Sequence, residues 1–259
     1  VTTTLELASI DSSIPNPGYV RSLFDWLAPH YDSAVLTYSL AQDLRWKWEL
    51  IRRLRPRPGE RALDLASGTG LIYGRLAAKL GRDSVVGLDI NRAMLTSAPR
   101  RGPARLLVRG DSTRLPFRDA SFDIVTAGYL FKYVPLDALA DEIRRVLRPG
   151  GRFGGYDFSA PDERTLAGKV YGRYLHHVLP AMGRWLGRGD RGWKMLLDFL
   201  AQIATHSGWE DRVEGVLQDA GFDRVERVAS LGGAITWVWA WLPGNRAGDV
   251  RPNLAAAGG

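Results

Sequence analysis

The segment Leu63-Asp64-Leu65-Ala66-Ser67-Gly68-Thr69-Gly70 constrains this chain more than any other. An apolar, strand-like run reaches an acid, and small residues then lead into a helical stretch. A second apolar run, Val85-Val86-Gly87-Leu88-Asp89-Ile90, carries another acid about 20 residues further on. An acid-tipped strand, a glycine turn and a second acid at that spacing describe a nucleoside ligand held at the edge of a parallel sheet. The glycines let the backbone approach the ligand. The second carboxylate can accept hydrogen bonds from both ribose hydroxyls.

Two other readings compete. A glycine turn between strand and helix can be only a tight turn. A dinucleotide fingerprint would place a third glycine after Gly68 and Gly70, to seat a pyrophosphate on the helix N-terminus. That position is Tyr73. A ligand without phosphate that carries an ammonium and a sulfonium suits Asp64 beside the turn better. S-adenosyl-L-methionine has that chemistry.

Three further blocks follow in a consistent order. Gly110-Asp111-Ser112 precedes Leu115-Pro116-Phe117, and an acid there can accept from an adenine amino group. Phe122 to Tyr129 reads as the next strand, ending near a transferable methyl. Val146-Leu147-Arg148-Pro149-Gly150-Gly151 closes a helix and turns into a strand from Arg152 to Phe158. The order predicts an α/β fold of the class I methyltransferase, Rossmann-like kind. Its sheet would have seven strands with an antiparallel last strand, an N-terminal helical lid over 19–55 and a helical insertion over 160–215, after the fifth strand.

Over roughly residues 20 to 242 the chain resembles the ubiquinone/menaquinone biosynthesis C-methyltransferases, the UbiE/MenG type. The matching residues include Phe24, Tyr31-Asp32 and Trp46-Lys47. The run Asp64 to Gly70 follows, then Val86 to Ile90 with Met94-Leu95, and Leu115-Pro116-Phe117. Arg145 to Gly151, Asp157-Phe158-Ser159 with Pro161, Ala220-Gly221-Phe222 and Gly232-Gly233 complete the set. The nucleotide-site motifs belong to many methyltransferases, whereas the Tyr-Asp block, the Trp-Lys pair, the Phe-Ser-x-Pro block and the late double glycine are more specific. Two stretches depart. The family's Gly-Leu-Arg-Asn-Val frame reads Leu130-Phe131-Lys132-Tyr133-Val134, and its His-Arg before the Trp-Lys pair is Asp43-Leu44. The resemblance implies a retained cofactor site and a diverged acceptor site.

Within 259 residues the chain has room for one α/β domain with a sizeable core. The absence of cysteine excludes disulfides, thiolate metal sites and a cysteine nucleophile, and fits a reducing cytoplasm. A formal charge of +7 is met either by arginine-rich composition alone or by an anionic membrane surface or acidic acceptor. No apolar run approaches about 20 residues, and no signal peptide opens the sequence. A cytoplasmic protein, at most peripheral to a membrane, is expected. Its expected partners are a small-molecule acceptor and a second copy in a homodimer, not nucleic acid.

Residues 1–18 read as a flexible arm, 19–242 as the methyltransferase domain and 243–259 as a disordered tail. Apolar residues recur at helical spacing, first Leu23, Trp26 and Leu27, then Leu40, Leu44 and Trp48, with Pro29 breaking the first helix. Leu136, Leu139, Ile143 and Val146 form a buried stripe. Residues 222–230 and 234–242 read as an antiparallel hairpin around Leu231-Gly232-Gly233. Its second arm sets Ile235, Trp237, Trp239 and Trp241 on one face, and Ala234, Thr236, Val238 and Ala240 on the other.

Asp64, Ala66, Ser67, Gly68, Thr69, Gly70, Asp89, Ile90, Met94, Asp111, Ser112 and Tyr31 are the expected cofactor-binding residues. Methyl transfer from a sulfonium is a direct displacement, so the protein supplies position and a dry pocket. A carbon acceptor such as a quinol is activated by losing a phenolic proton. His30, Asp32 and Tyr129 are the catalytic candidates. Tyr129, Lys132, Tyr133, His177 and Trp193 are the substrate-site candidates. The His176-His177 pair, with no third ligand at metal spacing, makes no metal site. The expectation is methyl transfer to a small aromatic, quinol-like or natural-product acceptor, at carbon. The alternatives are an N- or O-methyltransferase, including one for a phospholipid amine, and a non-methylating cyclase or partner subunit that binds the same cofactor.

Overall fold

The computed structural model describes residues 17–97, 106–178, 181 and 208–244. All but the last two residues of the expected arm, all but the first two of the expected tail, and the middle of the insertion with Trp193 lie outside those residues; Pro17 already opens a helix.

Seven strands form one sheet in the order β3-β2-β1-β4-β5-β7-β6. They are β1 (Ala62–Leu65), β2 (Val85–Asp89), β3 (Leu107–Arg109), β4 (Phe122–Gly128), β5 (Leu147–Phe158), β6 (Arg224–Ser230) and β7 (Ile235–Trp241). The first five are parallel, and β7 runs antiparallel to both β5 and β6. This is the expected class I methyltransferase architecture. Strands β1 and β2 are buried at every position, as strands covered on both faces must be. Leu65 pairs with both Leu88 and Ala127, so β1, β2 and β4 finish at one level. Strand order reverses direction between β1 and β4. That switch point is where ligands bind in open parallel sheets.

One layer carries α3 (Gln42–Leu54) and α4 (Leu71–Leu80), and the other carries α6 (Leu136–Val146) and α8 (Trp209–Asp219). The stripe Leu136, Leu139, Ile143 and Val146 on α6 is buried as expected. Strand β7 divides as its alternation predicts. Ile235, Trp237 and Trp239 join the core of α3 and α4, while Val238 and Ala240 join that of α6 and α8. The indoles of Trp237 and Trp239 lie nearly parallel with centroids 6.4 Å apart.

The N-terminal helices are α1 (Pro17–Leu27), α2 (Tyr31–Tyr38) and α3. Pro29 falls in the first break, as expected. A second break, at Leu40 and Ala41, uses positive φ at two residues that are not glycine. Leu40, Leu44 and Trp48 do not face the core, despite their helical spacing. They are 59%, 41% and 57% exposed. The buried face of α3 is Asp43, Trp46, Lys47, Leu50, Ile51 and Leu54. An acid and a base at i and i+4 neutralise each other on that face, so it is polar in sequence and still packs. Strand β5 also differs from expectation. It begins at Leu147, and its register with β4 shifts between Phe122 and Ile124 to admit the Pro149-Gly150-Gly151 turn. Helix α5 (Arg92–Ser97) follows β2, and α7 (Leu166–Arg173) follows β5 and continues as one π turn over Tyr174–Val178.

Candidate active site

Two acids organise the glycine turn after β1. Asp64 Oδ1 accepts from the Thr126 hydroxyl on β4 at 2.8 Å, and Oδ2 accepts from the Tyr73 N–H in the first turn of α4 at 3.0 Å. Full burial pushes its pKa up to about 7, against the opposing pull of those two hydrogen bonds and of Lys47. Asp89 accepts from the Gly68 N–H at 2.8 Å and from the Asn91 N–H at 2.7 Å. Burial raises its pKa as well, while both donors hold it down. Each oxygen of Asp89 keeps acceptor capacity after these bonds.

The turn between them is shaped to receive a ligand. Gly68 has φ +55°, and a Cβ built there would meet nothing closer than 3.8 Å. At Gly87 a Cβ would lie 2.9 Å from Ser67 Oγ, so only glycine lets the turn rest on β2. The buried Ser67 hydroxyl has no hydrogen-bond partner among the described residues. An orphaned hydroxyl in a turn whose Gly68 Cβ position has no neighbour closer than 3.8 Å fits a polar ligand lying along the turn. Ile90 is 54% exposed next to Asp89, which suits a flat adenine face, and Met94 is buried. Asp111 is exposed and binds the N–H and hydroxyl of Thr113, each at 2.8 Å, while Ser112 is buried.

The N-terminal helices are hydrogen-bonded to this turn. Thr69 Oγ1 donates to Asp32 on α2 at 2.6 Å. Asn91 Nδ2 donates to Asp25 on α1 at 2.9 Å. Asp32 therefore lies beside the glycine turn, as a tie between the N-terminal helices and the sheet. His30 is exposed beside the Trp26 ring, and His177 is exposed on the π turn. Neither joins the buried group.

Beyond β4 and β5 an aromatic cluster faces the lid. Tyr129, the first residue after β4, has φ +57°. Its ring stacks on Phe158 at 5.1 Å and meets Tyr156 edge-on at 5.0 Å. Val35, Tyr31, Tyr174 and Leu175 pack in the same cluster. Tyr133 meets Phe24 edge-on at 6.0 Å. Burial raises the pKa of both Tyr31 and Tyr133, with nearby carboxylates adding to it. Lys132 Nζ lies 5.9 Å from the Phe158 ring centre. Burial lowers its pKa, and Asp157 opposes the shift. Asp157 is itself pushed up to about 6 by burial, against Lys132 and two backbone donors. Its Oδ2 has no hydrogen-bond partner among the described residues.

Sequence reasoning missed a second buried set under this cluster. Asp43 Oδ1 accepts from Tyr129 Oη at 2.8 Å, from Tyr156 Oη at 3.2 Å and from Lys47 Nζ. The signal was present in the Asp43–Lys47 spacing of four on a helix and in the Trp46-Lys47 pair. The apolar positions Leu40, Leu44 and Trp48 pointed to the wrong face.

Comparison with known proteins gives this geometry a family. Residues 13–242 match the ubiE/COQ5 methyltransferase family. The chain belongs to that family. A demethylmenaquinone methyltransferase of Mycobacterium sp. (strain KMS) is 36% identical over 222 residues, covering 85% of this chain and 92% of that protein. The ubiquinone/menaquinone biosynthesis C-methyltransferase UbiE of Caulobacter sp. (strain K31) is 30% identical over 250 residues, 92% of this chain and 97% of that one. A SAM-dependent methyltransferase from Thermotoga maritima shares the fold at TM-score 0.58 and 16% identity, covering 85% of this chain and 98% of that one. The protein is thus a methyltransferase with the fold of the SAM-dependent class. Asp43 and Lys132 both border the Tyr129–Phe158 stack.

Proposed function

We propose that this methyltransferase binds S-adenosyl-L-methionine along the glycine turn and methylates a ring carbon of a quinol-like aromatic acceptor. Asp89 holds the ribose diol, Ser67 and the Gly68–Gly70 backbone line the ligand, and Ile90 backs the adenine. Asp64 supplies negative charge next to the cationic amino-acid end. When bound, the cofactor supplies an electrophilic methyl.

The chain's own residues do the rest. Tyr31, Tyr129, Phe158 and Tyr174 offer ring faces to a flat acceptor and exclude water. Lys132, with Asp157 behind it, stands where it can stabilise a phenolate oxygen. The observation that carries the reading is the Tyr129–Phe158 stack, which begins one residue after β4 at the carboxyl end of the β1/β4 switch point. The names of the curated relatives, which are quinone methyltransferases, support the acceptor class.

The test uses methyl-labelled S-adenosylmethionine with demethylmenaquinone, either reduced or oxidised. Label should move to the reduced form only, because only it can yield a nucleophilic phenolate carbon. Equal labelling of both forms, or of neither while an amine acceptor is labelled, would reject a quinol acceptor.

A further inference from the structure

Asp43 is fully buried where α3 meets β4 and β5. Among the described residues three donors converge on its Oδ1, while its Oδ2 has none. Lys47, 4% exposed, balances the charge and also lies 5.4 Å from the Tyr129 ring centre. Salt-bridge formation alone explains Lys47, but not the two phenols. Tyr129 and Tyr156 arrive from separate strands, and Tyr129 adopts a left-handed backbone to reach its place. Such strain persists where the surroundings fix it. The hydroxyl of Tyr129 commits its proton to Asp43. A phenol that donates still has lone pairs with which to accept. The same ring is stacked on Phe158, in the cluster that faces the lid.

We propose that Tyr129 and Asp43 form a proton relay for the acceptor, Tyr129 touching it and Asp43 acting as a positioning residue and proton sink behind. This rests on the reading that the acceptor carries a phenolic hydroxyl. The acceptor's O–H bond breaks, and its proton joins the Tyr129 oxygen. The proton of Tyr129 passes to Asp43 Oδ1. The electron pair left on the acceptor oxygen enters the ring, and the adjacent carbon forms its bond to the methyl while the sulfur keeps the pair of the broken S–C bond. The ring C–H proton then leaves to solvent as aromaticity returns, and the relay runs back to reprotonate the acceptor oxygen. Lys47 lies against Asp43 Oδ1 and balances its charge.

Asp43→Asn keeps the shape and an acceptor oxygen but cannot take a proton. Tyr129→Phe removes one hydroxyl and remains informative if the buried Asp43 variant does not fold. With reduced demethylmenaquinone each variant should lose at least about tenfold in kcat, with KM and cofactor affinity within about threefold. Each should also lose the acid limb of the kcat/KM pH profile. The double variant should be no worse than the poorer single, since the two act as one unit. A second readout needs no turnover. With the demethylated cofactor bound, the absorbance of added 2-naphthol should show the ionised naphtholate in the wild type and the neutral form in either variant. An unchanged pH profile in Tyr129→Phe, or neutral naphthol on the wild type, would overturn the relay. Ionised naphthol without turnover of the quinol would count against the quinol acceptor and leave the relay standing.

Discussion

At the scale of single residues, Asp89 and Asp123 separate binding from architecture. Asp89 grips the glycine turn through Gly68 and keeps capacity for a ribose. Asp123 accepts from the Arg61 N–H at 2.8 Å and pairs with Arg148 at 2.8 Å, far from the turn. Asp89→Ala should weaken cofactor binding ten- to hundredfold, about 1.5–3 kcal/mol. Asp123→Ala should leave that affinity within about threefold and lower the melting temperature instead. Calorimetry and thermal melts on both variants check this. Asp64 gives a pH signature. Its folded-state pKa of about 7 stands above the ordinary 3.8, so the folded chain holds the proton more tightly than the unfolded one. The stabilisation from Asp64 is full below about pH 4 and is lost as pH rises through about 7. Melts of the cofactor-free protein should therefore fall between those limits, and Asp64→Asn should flatten the slope. A cationic ligand favours the ionised carboxylate, so its binding near neutral pH should release protons. Titrations in buffers of different ionisation enthalpy measure that release, and none in Asp64→Asn is expected.

Among the elements, the lid is tied to the sheet by two side-chain hydrogen bonds, Asp32 to Thr69 and Asp25 to Asn91. Asp25→Ala should speed amide exchange across α1 and leave β1 and β4 unchanged, because those strands are held by their own ladder. Faster exchange throughout the sheet would show that α1 supports the core rather than covering the site. Restoring the family residues with Lys132→Arg and Tyr133→Asn should alter acceptor turnover and leave cofactor affinity within about threefold. Loss of the cofactor with unchanged acceptor kinetics would move these residues into the cofactor shell. The strands and glycine turn were legible because local pattern dictates them, as in the two-faced split of β7. Helix α3 was not, because its buried face contains Asp43 and Lys47. Their pairing across one helical turn, and the tyrosines from β4 and β5 that join them, become visible only when distant segments meet. The roles of Asn91 and Thr126 were hidden for the same reason.

The molecule as a whole places one acid-flanked turn and one aromatic cluster on either side of a strand-order switch, with a helical lid above both. Trp239 anchors the layer beneath the lid, 1% exposed and hydrogen-bonded to the Leu50 carbonyl at 3.4 Å. Trp239→Ala should cost about 3–5 kcal/mol in denaturant unfolding, and a loss below about 1 kcal/mol would show that α3 packs without it. Among the described residues no helix is long and apolar enough to cross a membrane. The central claim is that the cofactor's methyl reaches a ring carbon of an aromatic acceptor held against Tyr129 and Phe158. Turnover of reduced demethylmenaquinone with carbon-13 methyl donor, followed by carbon NMR of the product, tests it most directly. A single new resonance in the range of an aryl-bound methyl is expected, absent with Asp89→Ala at limiting cofactor. A resonance in the methoxy range, or no transfer from a cofactor that binds, would contradict it.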